Sequence, residues 1–316
     1  MIAIGIDIGG TFVKFFAVDD KKRILKEDKI PTYTTLSGKD FLGQLSSIVN
    51  EWRKEFKDKK TVIGVGIAGD TDHRKGILRW APNIPWHNLK VADFIKANTG
   101  CECYVCNDAN IAAWGVFDGE FKGKYKNMIV VTLGTGVGGG IIIDGKLYQG
   151  ADGSAGELGH MKIDSSADAP LCGCGQRGCL EAYAGTKGIL RMAQAACVKN
   201  PKSILAELMN KEDFSVKLLS DAAARGDETA LNLWKETGCY LGKGLADMIL
   251  LLNPDAVVLA GGVSRGAKYF LPSVKEVFAA QAVKTPFKKV KVLISKEGNI
   301  GGIGAALYAL SNSNEK

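Results

Sequence analysis

The sequence predicts an α/β protein of two like-folded domains facing each other across a cleft. Three observations predict it. Strand-like and helix-like segments alternate along the chain, as in a sheet covered by helices. A strand, a glycine turn and a second strand occur at residues 4–18 and recur about 125 residues later. The length, 316 residues, corresponds to two domains at roughly 150 residues each.

The elements follow in order. Residues 2–6 are apolar, Gly9-Gly10 punctuates, 12–18 is apolar again, and Asp19-Asp20 turns the chain towards a third strand at 24–30. Phe41, Leu45, Ile48, Val49, Trp52 and Phe56 recur at helical spacing and make one apolar face. Residues 62–67 read as a strand ending at Gly69, 91–98 as a helix, and 103–106 as a strand ending at Asn107-Asp108. Asp108 is a candidate N-cap for a helix over 109–114. The pattern then restarts: strand 128–133, glycine turn 134–140, strand 141–143 and a hairpin turn at Asp144-Gly145. A cysteine-bearing loop follows, then helical sequence over about 185–252, a strand at 256–260 ending at Gly261-Gly262, and a last helix near 301–310. The expected division is a small domain, 1–110, joined by the C-terminal helix near 301–316, and a large domain, 111–300.

Composition narrows the function classes. Apolar residues are 46% and charged residues 24%, which excludes a disordered chain. The 39 glycines are about one residue in eight, against a usual ~7%, and they cluster at turns. The net charge is +7, but the lysines are scattered. Their densest run, 54–60, contains Glu55 and Asp58 and reads as a solvated helix end, so no nucleic-acid partner is expected. The positive balance suits an anionic ligand such as a nucleotide. No apolar run approaches the ~18 residues of a membrane span, and residues 1–7 lack the length and basic flank of a signal peptide. A cytoplasmic protein without a membrane partner is therefore expected.

Segments 64–69 and 134–139 both fit GxGxxG, the dinucleotide fingerprint. That fingerprint needs a helix after the turn. Residues 70–76 are too polar for one, and 141–143 read as a strand, so a dinucleotide fold is excluded. No GxxxxGK[ST] occurs, which excludes a P-loop. The turns at Gly9-Gly10-Thr11 and Gly134-Thr135-Gly136 read instead as phosphate-binding turns, where a Cβ would obstruct close approach of backbone amides. Asp7, at the end of the first buried strand, needs a partner, and Mg²⁺ on nucleotide phosphates supplies one.

One histidine and three cysteines form the most specific local pattern: Gly156-Glu157-Leu-Gly-His160, then Cys172-Gly-Cys174-Gly-Gln-Arg-Gly-Cys179-Leu-Glu181. This is a tetrahedral ligand set suited to Zn²⁺, with all four positions filled by protein, hence a structural site. The other five cysteines read as buried thiols. Asn107, Asp108, Glu157, His160 and Glu181 are the donors and acceptors a polyol requires, and one carboxylate can take a proton as general base.

Together these motifs resemble the ROK family of repressors and sugar kinases, within the actin, hexokinase and heat-shock ATPase superfamily. Asp7-Ile-Gly-Gly-Thr11, Asn107-Asp108, Glu157-Leu-Gly-His160 and the cysteine run stand in the family's order and span essentially the whole chain. The resemblance implies two ribonuclease-H-like domains and an ATP-dependent hexose kinase with Mg²⁺ and structural Zn²⁺. Asp7, Gly9, Gly10, Thr11 and Lys14 would belong to the first phosphate turn, and Gly134, Thr135 and Gly136 to the second. Gly261, Gly262 and Val263 would lie near the adenosine. Asp108 would be the catalytic base. Gly69, Asn83, Asn107, Asp108, Glu157, His160 and Glu181 would touch the sugar. His160, Cys172, Cys174 and Cys179 would bind zinc. Ala81-Pro-Asn83-Ile-Pro-Trp86 looks most like the glucokinases of the family, which implies D-glucose phosphorylated at O6 and a homo-oligomer, dimer or tetramer. Kinases for N-acetylglucosamine, N-acetylmannosamine, fructose or allose are the alternatives within the class. Ala68 and Asp70 depart from the Pro and Gly common in the family. A repressor would carry a DNA-reading head, which is not expected because the first phosphate strand starts at residue 2. A non-kinase actin-like ATPase would not need the carboxylate, amide and imidazole set.

Overall fold

The computed structural model describes residues 1–57, 59–81 and 84–314. Three strands open the chain, β1 (Ile2–Ile8), β2 (Phe12–Asp19) and β3 (Ile24–Pro31), followed by helix α1 (Gly38–Glu55). Next come β4 (Thr61–Ile67), the short strands β5 (Asp70–Asp72), β6 (Ile77–Trp80) and β7 (Leu89–Lys90), α2 (Val91–Thr99), β8 (Glu102–Asn107) and α3 (Asp108–Trp114). The second half runs β9 (Met128–Leu133), β10 (Val137–Ile143), β11 (Lys146–Tyr148), α4 (Glu181–Ala184), α5 (Thr186–Lys199), α6 (Ile204–Met209), α7 (Val216–Ala224) and α8 (Glu228–Leu252). It ends with β12 (Ala256–Ala260), α9 (Ala267–Ala280), α10 (Thr285–Lys289), β13 (Lys291–Ile294) and α11 (Ile300–Asn314).

Two five-stranded sheets share one plan. The first has the order β3-β2-β1-β4-β8 and the second β11-β10-β9-β12-β13. In the first, β2 runs antiparallel to both of its neighbours, β1 and β3, and β4 and β8 run parallel to β1. In the second, β9, β12 and β13 are parallel, and β11 is antiparallel to β10. The recurring strand–turn–strand pattern thus supplies the central strand of each sheet, β1 or β9, and its neighbour, β2 or β10.

The chain divides into two compact units: residues 1–126, 140–156 and 297–316, and residues 127–139 and 157–296. Residue 110, where the sequence places the boundary, lies inside α3, which packs on α11 in the first unit. Strand alternation organises that unit. Ile2, Ile4, Ile6 and Ile8 share one core with Phe41, Leu42, Leu45, Val49 and Trp52 of α1 and with Val91 and Ile95 of α2. Each such side chain contributes roughly 1.5–3 kcal/mol when fully buried. Ser37 caps α1 by accepting the Asp40 amide. Ala3, Gly5 and Asp7 point to the other face, where α11 crosses β1 and β4. A Cβ on Gly5 or Gly64 would strike the Gly302 or Ala305 carbonyl, so both crossings require glycine.

In the second unit, α8 and α9 pack around Trp234, Leu241, Leu245 and Phe270. Two local expectations change. The strand after the second turn begins at Val137, so Gly138, Gly139 and Gly140 lie within β10 and not in the turn. A Cβ on Gly140 would strike Ala113, so this glycine serves close packing. Residues 70–72 form β5, paired with β6, so no helix follows the turn at 64–69, as the sequence predicts. Of the five other cysteines, Cys101 and Cys106 are buried, whereas Cys103, Cys197 and Cys239 are only half-buried. Among the described residues no helix is long and apolar enough to cross a membrane.

Candidate active site

In the first unit, parallel pairing brings the candidate residues to one sheet edge. Asp7 pairs with Gly66, and Ile67 with Asn107, so β1, β4 and β8 end together. Such carboxyl edges are where α/β folds collect ligands. Asn107, not Asp108, caps α3. Its Oδ1 accepts the amides of Ala109 (2.9 Å) and Asn110 (3.2 Å), and its Nδ2 donates to the Gly69 carbonyl at 3.1 Å. Gly69 needs to be glycine: φ is +135°, and a Cβ would lie 2.5 Å from the Trp80 carbonyl oxygen. With the cap supplied by its neighbour, Asp108 is the first residue of α3. Its Oδ1 also accepts the Ala109 amide at 2.9 Å. Burial raises the Asp108 carboxyl above the usual range, against the opposing pull of the Ala109 amide.

Asp7 is pushed up to about 6, first by burial, then by the charge of Asp108, with Lys14 opposing. Lys14 is the cross-strand partner of Asp7. The first turn of α11 abuts the Asp7 carboxylate at Gly301, a helix end that favours negative charge. The first glycine turn is anchored from behind. Gly9 donates to Phe12, and Thr32 donates its hydroxyl to Gly9 (2.7 Å) and its amide to Thr11 (2.9 Å). Gly10 and Thr11 remain exposed.

The second unit holds the other turn. Gly134 and Gly136 bond across it at 3.0 Å, and Thr186, at the start of α5, donates both its amide (2.9 Å) and its hydroxyl (2.8 Å) to the Gly134 carbonyl. Because β9 and β12 are parallel and in register through Ala260 and Thr132, Gly261 follows on the same edge. A Cβ on Gly134 or Gly262 would meet nothing within 4 Å. Among the described residues no packing demands glycine there, so the space suits a ligand approaching the backbone. Thr135 is exposed, and Val263 is buried at the start of a short helical turn.

The cysteine loop sits beside this turn. The donor atoms of His160, Cys172, Cys174 and Cys179 all lie within 4.8 Å of one another. Cys172 Sγ is 3.7 Å from His160 Nδ1, and Cys174 Sγ is 3.7 Å from Cys179 Sγ. Tetrahedral zinc–thiolate bonds of about 2.3 Å place sulfurs ~3.8 Å apart, so the four residues fit the ion. Burial first, and then hydrogen bonding and the Glu181 charge, push the Cys172 thiol up to about 12, so a thiolate there needs a cation. The Tyr183 hydroxyl bonds to Asp164, Tyr183 stacks on Tyr240 at 3.8 Å, and together they close the base of the loop. His160 Nε2 lies 3.9 Å from Glu157 Oε2, an outer carboxylate able to orient the imidazole.

Glu181 does more than expected. Its Oε1 is 3.4 Å from Cys172 Sγ, and its Oε2 accepts the Val137 amide at 3.0 Å. It therefore ties the cysteine loop to the second glycine turn. The first unit thus gathers Asp7, Lys14, Gly69, Asn107 and Asp108, and the second gathers Glu157, His160, Glu181 and the cysteines. Asn83 lies outside the described residues. Thr186 and the Glu181–Val137 bond escape sequence reasoning; a hydroxyl opening α5 is the one signal for the former.

The sequence profile of the ROK family matches residues 3–312. A glucokinase of Streptomyces coelicolor is 34% identical over 312 residues, covering 96% of each chain. The crystal structure of a ROK family glucokinase from Streptomyces griseus, in complex with glucose and AMPPNP, is 33% identical with a TM-score of 0.80, over 98% of this chain and 100% of that one. The xylose repressor of Bacillus spizizenii is 30% identical over 283 residues, covering 86% of this chain and 67% of the repressor.

Proposed function

From the premise that the chain belongs to the ROK family, we propose that it is an ATP-dependent hexose kinase that phosphorylates D-glucose at O6. The observation that carries the reading is Asp108, a carboxylate of raised proton affinity at the end of β8, beside the amide of Asn107. The glucose and AMPPNP named for the Streptomyces griseus relative support the substrate pair.

In this reading Asp108 accepts the hydroxyl proton as the sugar oxygen attacks the γ-phosphoryl group. General-base assistance of this kind is worth 10²–10⁴-fold. Asn107, Gly69, Glu157, His160 and Glu181 bind and orient the sugar hydroxyls. Amides of the turns at Gly9–Thr11 and Gly134–Gly136 cradle the phosphates and oppose charge on the transferring group. Gly261, Gly262 and Val263 border the nucleotide. Asp7, with Lys14 beside it, would hold Mg²⁺, which would supply charge neutralisation to the phosphates. His160, Cys172, Cys174 and Cys179 would hold Zn²⁺, which would staple the loop that carries Glu157 and Glu181.

The test is ADP release from Mg·ATP against glucose, N-acetylglucosamine, N-acetylmannosamine, fructose, mannose and allose. A kcat/KM for glucose at least about tenfold above the others is expected. Preference for another hexose overturns the substrate and keeps the mechanism. ADP release indifferent to every sugar overturns the kinase reading. Likeness to the xylose repressor favours a second reading, a sugar-responsive DNA binder, whose mark is salt-dependent duplex binding.

A further inference from the structure

We propose that Arg79 is a positioning residue for the sugar half of the site, a proposal that rests on the kinase reading. Arg79 lies on β6, between Gly69 and Asn83 in sequence. Its guanidinium joins two segments. Nη1 donates to Asp70 Oδ1 (2.7 Å) and to the Thr71 carbonyl (3.2 Å). Nη2 donates to the Asp152 carbonyl at 2.6 Å and faces Asp72 Oδ2 at 3.6 Å. Ser154 adds a bond from its hydroxyl to Asp70 Oδ1 at 3.4 Å.

The two segments press together along their length. A Cβ on Gly153, where φ is +99°, would lie 2.7 Å from the Thr71 carbonyl oxygen and 3.0 Å from His73 Nδ1. The hairpin carries Gly69 at its start and leads towards Asn83, and the loop around Asp152 runs directly into Glu157. Gly69 is itself held by Asn107, the neighbour of Asp108. One planar cation therefore fixes the spacing of two backbone segments of the first unit, one that follows Gly69 and one that precedes Glu157 in sequence.

Arginine is required for this geometry. Its fork reaches a carboxylate and a carbonyl in different directions at once, whereas a lysine ammonium is a single point donor on a flexible stem. Asp70 is the acidic half of the clamp, with Asp72 as a second carboxylate beside the guanidinium.

Steady-state kinetics of Arg79→Ala, Arg79→Lys and Asp70→Asn test the proposal, together with amide hydrogen exchange over 70–80 and 149–156. The expected result for Arg79→Ala is a hexose KM raised about tenfold or more, with kcat and the ATP KM within about twofold of the parent. Arg79→Lys should recover only part of the loss. Exchange should quicken in both segments while the melting temperature barely moves, since a half-exposed ion pair adds little global stability. An unchanged hexose KM overturns the proposal, as does an ATP KM that rises in step with it. A parent enzyme that phosphorylates no hexose overturns the kinase reading itself, and the exchange data then report separately whether the clamp exists.

Discussion

In the first unit, Asp7, Asn107 and Asp108 stand at the ends of parallel strands, and their positions are set by strand register. In the second, Glu157, His160, Glu181 and three cysteines stand on the long connection between β11 and α5, which holds only a short helical turn at Leu158–His160 and the short helix α4 at its end. The same strand order carries both. The first arrangement needs no more than a sheet and its covering helices. The second has little apolar core of its own, Cys172, Cys179, Ala182 and Tyr183 with a few neighbours, and depends on cross-links. Groups at strand ends are precise because the fold is; groups on loops are precise only while something staples the loop.

The largest expected effect follows from that contrast. If the four residues hold Zn²⁺ as proposed, a strong chelator should unfold the region 157–185 and abolish sugar phosphorylation. In small zinc peptides such sites contribute on the order of 10 kcal/mol. The first unit should keep its protection from hydrogen exchange. Active protein that contains no zinc by metal analysis would defeat this half of the comparison.

Asp108→Ala should act the other way, on chemistry and not on fold. The variant should bind sugar, lose 10²–10⁴-fold in kcat, about 3–5 kcal/mol, and melt no lower than the parent, since it deletes a buried carboxylate held above its ordinary pKa. Near-parental turnover would remove Asp108 from the role of base.

Asp7→Asn separates stability from function at the same edge. Burial lifts Asp7 from 3.8 to about 6, so its ionised form is disfavoured in the folded state. Below the unfolded value the carboxyl is protonated in both states and the substitution should be neutral. As pH rises through about 6 the full penalty develops, up to roughly 3 kcal/mol for a shift of about two units. Asp7→Asn should therefore stabilise the protein at pH 8, by an amount that fades towards pH 4, while ATP turnover collapses. Melting curves across that range report the sign directly, and equal stability of the two proteins at pH 8 would refute it.

These contrasts also explain what the sequence discloses. Continuous apolar runs mark β1 and β2, which are buried on both faces, and helical spacing marks α1, because each kind of burial leaves a local pattern. The cysteine–histidine spacing marks the candidate metal site for the same reason: His160, Cys172, Cys174 and Cys179 lie within 20 residues. The N-cap of α3 falls on Asn107 although either residue of the pair can cap, and only the bonds decide. Arg79 and Asp152 are 73 residues apart, and Glu181 and Val137 are 44. Such contacts are made by the folded chain and leave no periodicity behind. Likewise β10 starts earlier than expected because Gly138, Gly139 and Gly140 look like turn residues, while Gly140 is there to admit Ala113.

The smallest effect tests whether the second turn is stapled as the cysteine loop is. Thr186 and Gly134 are 52 residues apart, and the Gly134 carbonyl receives two bonds from one residue, the amide and the hydroxyl of Thr186. Thr186→Val keeps the amide bond and the β-branched shape and deletes the hydroxyl. A single neutral hydrogen bond contributes about 1 kcal/mol, so the loss in stability should be of that order. If the hydroxyl also fixes the turn against the phosphates, the ATP KM should rise a few-fold with the hexose KM unchanged, the reverse of the split expected at Arg79. Equal movement of both constants would mean that the two turns are not held independently, and the contrast between strand-set and staple-set groups would fail at its finest point.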